Sequence, residues 1–115
     1  MIAHVVLFRP RTDLSMAART ALVEAFQAAL REIPSIRRAN VGRRLRQGHS
    51  YEERMKVDYE YAASLEFDDA DGLNAYLAHP VHEQLASHFH QAFEHALMYD
   101  FELQEGEAGL ARLLD

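Results

Sequence analysis

A chain of 115 residues with 49% apolar side chains is long enough for one domain around one core and too short for a second. Its formal net charge of −6 argues against nucleic acid as the main partner, because phosphate binding needs a basic surface. Cysteine is absent, which excludes thiol catalysis, cysteine-ligated zinc and disulfides; with no signal-peptide pattern and no run of transmembrane length, the expected setting is the cytoplasm with no membrane partner.

Ile2 to Phe8 is apolar and rich in β-branched residues, and Pro10 follows closely, so a first strand is expected there. Asp13 or Ser15 can cap the helix that Leu22, Phe26, Ala29 and Ile33 mark out from Met16 to Ile33, and Pro34 stops it. Ile36 to Leu45 alternates with an interruption at Gly42, the pattern of a strand with a bulge or a close backbone approach. Arg37, Arg38, Arg43, Arg44 and Arg46 crowd this stretch and read as a solvated strand or an ion-pair ladder between subunits. Gln47 to Lys56 is polar and charged, as the tip of a long hairpin is.

Tyr59, Tyr61, Ala63, Leu65 and Phe67 alternate with smaller or polar residues, the clearest period-two pattern in the chain, and Asp68 to Asp71 breaks it. Leu73 to Ala78 reads as a short helix. Pro80 then opens a second one, with Leu85, Phe89, Phe93 and Leu97 as its stripe. Met98 to Leu103 is again strand-like. Residues 105–115 form a polar tail, possible as a short helix through Leu110, Leu113 and Leu114, which leaves 1–104 as the domain.

The order β-α-β-β-α-β is the split ferredoxin-like arrangement, an α+β fold with two helices on one face of a four-stranded antiparallel sheet. The first strand is apolar on both sides, with Val6 and Phe8 on one and Ala3, Val5 and Leu7 on the other, and two helices cover only one. An uncovered apolar face predicts a homodimer through the helix-free side of the sheet, closing a dimeric α/β barrel.

The chemistry concentrates in Tyr76-Leu77-Ala78-His79-Pro80-Val81-His82, a phenol and two imidazoles around a helix start. His82 falls in the first turn, where the positive end of the helix dipole disfavours a protonated ring, so it suits either a general base or a packing group. His79 precedes proline, which pushes its backbone out of the helical region and makes it a cap. Tyr76 fits an ordinary core aromatic or a substrate anchor. Asp100 sits between Tyr99 and Phe101, where a carboxylate needs a partner, and either His4 or His82 can serve. Seven histidines raise the question of a metal, but His79/His82 and His88/His90 lack the i, i+4 spacing with which one helical face grips an ion, so neither metal nor cofactor is expected.

Ile2-Ala3-His4-Val5-Val6-Leu7-Phe8, Ile33-Pro34, Val41-Gly42, Tyr76 to His82 and Tyr99-Asp100-Phe101, in that order, resemble the stress-responsive A/B barrel domain (Dabb) over residues 2 to 103. The resemblance implies a ferredoxin-like protomer in a dimeric barrel, a superfamily that also holds cofactor-independent monooxygenases. Plant polyketide cyclases of this type use a histidine as general base, a tyrosine to position substrate and an aspartate to orient the histidine; by motif position these are His82, Tyr76 and Asp100. His4 would look into the same cavity, with Leu22, Phe26, Tyr61, Ala63 and Leu65 lining its apolar part. The implied ligand is a hydrophobic, carbonyl-bearing small molecule that undergoes proton abstraction or aldol-type cyclisation. A non-enzymatic, stress-induced structural or ligand-binding dimer is the alternative, and a cofactor-independent oxygenase a third reading.

Overall fold

β1 takes the nine residues Ile2–Pro10 and ends on the proline itself, where the missing N–H costs least. The other strands are β2 (Arg38–Arg43), β3 (Tyr61–Phe67) and β4 (Phe93–Glu102). In this computed structural model, which describes residues 1–115, they form one antiparallel sheet in the order β2-β3-β1-β4. The sheet is open and ferredoxin-like.

Helix α1 (Met16–Glu32) starts because Ser15 Oγ accepts from the Ala18 amide at 3.1 Å, so the cap is Ser15 and not Asp13. Helix α2 (Ala70–Ala78) starts three residues before the expected Leu73, since Asp69 Oδ1 accepts from the Gly72 amide at 2.9 Å. The aspartate run that breaks the strand also begins the helix. His79 stays extended ahead of Pro80, at φ −69° and ψ 138°, and this separates α2 from α3 (Pro80–Ala92). His79 Nδ1 accepts from the Val81 amide at 3.1 Å, which makes it the expected cap. His79→Ala should therefore lower stability by about 1 kcal/mol, the usual size of a lost cap, with the far-UV spectrum unchanged because Pro80 still keeps the helices apart. An unshifted urea midpoint would show that the imidazole contributes nothing there.

The stripe Leu85, Phe89, Phe93, Leu97 does not stay helical. At Phe93 the chain is already extended, with φ −115° and ψ 137°, and β4 runs from there instead of from Met98. Two forces decide this. The Phe93 ring packs on Phe89 and Phe8, at centroid separations of 4.4 and 4.6 Å, so its burial is met across the helix–strand junction. And nine-residue β1 offers a ladder from Ile2↔Glu102 to Pro10↔Phe93, which satisfies backbone groups that a longer helix would leave without a sheet partner.

Gly42 marks no bulge: β2 pairs in regular register through Gly42↔Ala62, and a Cβ there would meet no atom within 4 Å. Of the arginines nearby, Arg37, Arg38, Arg44 and Arg46 form ion pairs within the chain, and Arg43 forms none. Arg37 Nε donates to Asp68 at 2.8 Å, and Arg44 Nη1 to Asp58 at 2.6 Å, with Arg46 on the other oxygen of Asp58. These hydrogen bonds, Arg46's foremost and then Arg44's, hold the Asp58 carboxyl below its ordinary range. They tie down the 44–60 arm, whose tip is a 3-10 turn at Ser50–Arg54.

Directly opposed residues in an antiparallel pair share a face. On the helix side His4 lies against Leu65 and Asp100, and Val6 against Ala63 and Met98. The core there joins Val6, Ala29, Ile33, Leu65, Phe67 and Leu85, with Phe67 and Leu65 the largest fully buried side chains. Helices α1 and α3 lie side by side over it. On the opposite face Val5 pairs with Tyr99, Ala3 with Phe101 and Leu7 with Leu97. Tyr99 and Phe101 remain 56% and 49% exposed. The tail forms helix α4 (Gly106–Leu110) and a 3-10 turn, leaving Leu110, Leu113 and Leu114 exposed. No helix is long and apolar enough to cross a membrane.

Candidate functional site

Between the helix side of the sheet and helices α1, α2 and α3 lies a cavity of about 160 Å³. Strand alternation delivers His4, Val6 and Phe8 to it from β1, and Ala63 and Leu65 from β3. α1 contributes Leu22 and Phe26, one turn apart. The break at His79-Pro80 then does what spacing alone does not: it folds the end of α2 against the start of α3. Tyr76 and His82 meet edge to face, with ring centroids 4.6 Å apart, and the His4 ring lies 6.0 Å from Tyr76. Sixteen residues line the cavity, and beyond Tyr76 the polar ones are three histidines, His4, His82 and His90.

Burial of these groups sets their protonation. His82 is held below the ordinary imidazole range, first by desolvation and then by the neighbouring His4, while the Leu77 carbonyl and Glu83 push the other way. The neutral ring is thereby favoured near pH 7, the form a base requires. Burial alone pushes the Tyr76 phenol up to about 12, so it remains a hydrogen-bond donor across the physiological range.

Asp100 lies behind this constellation and not in its wall. Its Oδ1 accepts from His4 Nδ1 at 2.6 Å, in the cross-strand pair His4↔Asp100. The carboxylate thus makes Nδ1 a protonated nitrogen of the His4 ring. The resemblance to the cyclases gives Asp100 the task of orienting His82, but its hydrogen bond goes to His4, the other of the two partners open to it from sequence.

Of the residues singled out from sequence, His4, Leu22, Phe26, Ala63, Leu65, Tyr76 and His82 come together around this one cavity. Tyr61 does not reach it; it lines a second, adjoining cavity and stacks on Phe8 at 5.6 Å. Phe8, Leu85, Phe89, Phe93 and His90 line the first cavity although their spacing points only to core or surface. One signal for His90 was available: His82, Ala86 and His90 recur at intervals of four, so they share a flank of α3.

Comparison with known structures agrees with this architecture. A crystallised protein from Arabidopsis thaliana superposes with a TM-score of 0.75 at 17% identity, covering 93% of this chain and 99% of that one. Hydroxynitrile lyase from Passiflora edulis gives 0.77 at 16% identity over 91% and 94% of the two chains. A dimeric ferredoxin-like protein of unknown function from Thermobifida fusca gives 0.69 at 22% identity over 89% and 90%. At these identities the likeness establishes the fold. No curated protein matches the chain. The stress responsive A/B barrel domain model, however, matches residues 2–103, nearly the whole length, and the chain accordingly belongs to that family, Dabb.

Proposed function

We propose that this Dabb protein binds an apolar, carbonyl-bearing small molecule in the cavity and abstracts a proton next to the carbonyl. His82 takes the proton, Tyr76 donates a hydrogen bond to the oxygen as it becomes an enolate, and the protonated His82 returns a proton to product. In an aldol-type cyclisation the enolate carbon forms its bond to a second carbonyl carbon of the same molecule, and that oxygen receives the proton. The observation that carries the reading is the contact of a depressed imidazole with a buried phenol in an otherwise apolar cavity. A lyase among the structural relatives supports the enzymatic version. The protein works as a homodimer through the helix-free face, a reading supported by the exposed Leu97, Tyr99 and Phe101 and by a relative described as dimeric.

One observation favours the non-enzymatic alternative, a ligand-binding dimer: Asp100 holds His4, so it is not the carboxylate that fixes His82. Incubation with 2-nonanone or an apolar 1,3-diketone in D₂O separates the two, with loss of the α-proton NMR signal as readout. Exchange faster than in buffer, and suppressed by filling the cavity through Ala63→Phe, supports the enzyme. Saturable binding without exchange supports the ligand-binding alternative, and the absence of both sinks each.

A further inference from the structure

We infer that the ligand of this site is elongated and carries a carboxylate at the end remote from His82, which meets Arg19 and Arg43. The inference rests on the cavity taking a ligand and goes on to name its class. A second cavity of about 460 Å³ adjoins the first and shares Phe8, Leu22, Phe26 and Phe93 with it. Parting of these four side chains would join the two as lobes of one slot. The inner lobe is close in volume to a cavity of about 150 Å³ that takes a benzene, room for a reacting head and little more. The larger outer lobe is where the remainder of a ligand has to lie.

The slot changes character along its length. The shared wall is wholly apolar, so nothing between the inner histidines and the outer lobe hydrogen-bonds a ligand. The polar side chains lining the outer lobe are Arg19, Gln27 and Tyr61. Arg19 rises from the first turn of α1, half-buried, and, like Arg9, Arg31, Arg43 and Arg54, makes no ion pair; among these five only Arg19 lines the outer lobe. Arg43, exposed on β2, does not line this lobe but borders it through Tyr61: it pairs in register with Tyr61, donates to the Tyr61 hydroxyl at 3.4 Å, and sets its guanidinium 5.7 Å from that ring. It too has no carboxylate. In a chain with 18 acidic and 12 basic residues, two guanidinium groups without a carboxylate at the mouth of an apolar slot form a local positive field. A planar guanidinium matches a carboxylate by two parallel hydrogen bonds, and an apolar slot beneath it selects the chain behind that carboxylate.

Decanoate and 1-decanol, matched in chain and differing in charge, test this by calorimetry at neutral pH below the critical micelle concentration. Decanoate is expected to bind about tenfold more tightly than the alcohol, the size of one charge-assisted hydrogen bond. The preference should vanish in Arg19→Ala/Arg43→Ala, with the affinity for 1-decanol retained as the control for an intact slot. Rescue of part of the preference by Arg19→Lys supports the role of charge, and hexanoate should bind more weakly than decanoate. Equal affinity for acid and alcohol in the wild type, or a preference that survives the double substitution, overturns the inference while leaving the proposed chemistry standing. Conversely, a charge preference that follows the arginines in a protein showing no α-proton exchange supports the inference and sinks the enzymatic reading. Failure of both probes to bind overturns the inference together with the ligand site on which it rests.

Discussion

Replacing Tyr99 and Phe101 together by aspartate is expected to convert a dimer into a folded monomer. Both side chains project from β4 on the helix-free face, opposite Val5 and Ala3 of β1, and both are about half exposed in the isolated protomer. Neither belongs to the core around Leu65 and Phe67, so the substitutions leave that core intact. In the proposed dimer the same positions, on the edge strand β4, fall between two stacked sheets, where a stable interface removes on the order of 800 Å² per partner from water. Putting two carboxylates per subunit into that layer, each facing its symmetry mate, costs several kcal/mol per charge. Dissociation should therefore be complete at micromolar concentration by light scattering, with circular dichroism unchanged. A monomeric wild type overturns the reading of this face; a double variant that remains dimeric moves the interface elsewhere.

Much of this face was legible in the sequence, because alternation along β1 forces apolar side chains to both sides and two helices cover one. The strands followed for the same reason: Ala63, Leu65 and Phe67 keep strict period two, and all three are buried. What resisted reading is where two periodicities agree locally. Phe89, Phe93 and Leu97 satisfy helical spacing, yet β1 draws the last two into a ladder, and that pairing is a long-range event with no local signature. The same limit applied to the site. Pro80 announces a break after Tyr76, but the angle at which the helices meet, and hence the contact of Tyr76 with His82, depends on packing over the sheet. The His4–Asp100 bond follows from the ferredoxin-like order, which lays the last strand beside the first, and His4 was one of the two partners open to Asp100 from sequence. His90 and the aromatic end of the slot were missed because a phenylalanine that fills a core and one that walls a cavity look alike in sequence.

His82→Ala should reduce α-proton exchange by roughly 10² to 10⁴-fold, the usual contribution of a positioned base. The side chain is only partly buried and makes no side-chain hydrogen bond to another residue's side chain, so the fold should tolerate its loss. The pH dependence is the sharper readout. In the folded protein the His82 pKa lies below its ordinary 6.5, because burial and His4 oppose the charged ring. The midpoint of the fall in the wild-type rate, as the base takes up its proton, should therefore lie below pH 6.5. Stability carries the same sign: the unfolded chain binds this proton first, so His82's contribution is complete above 6.5 and is lost as pH falls through the folded pKa. The alanine variant should show a flatter stability profile over that interval. Tyr76, pushed up to about 12, stays protonated throughout and cannot be the source of the acid limb. Should exchange persist in His82→Ala with its acid limb unmoved, the base is one of the other two imidazoles of the cavity: His4, whose Nδ1 is bound by Asp100 at 2.6 Å, or His90.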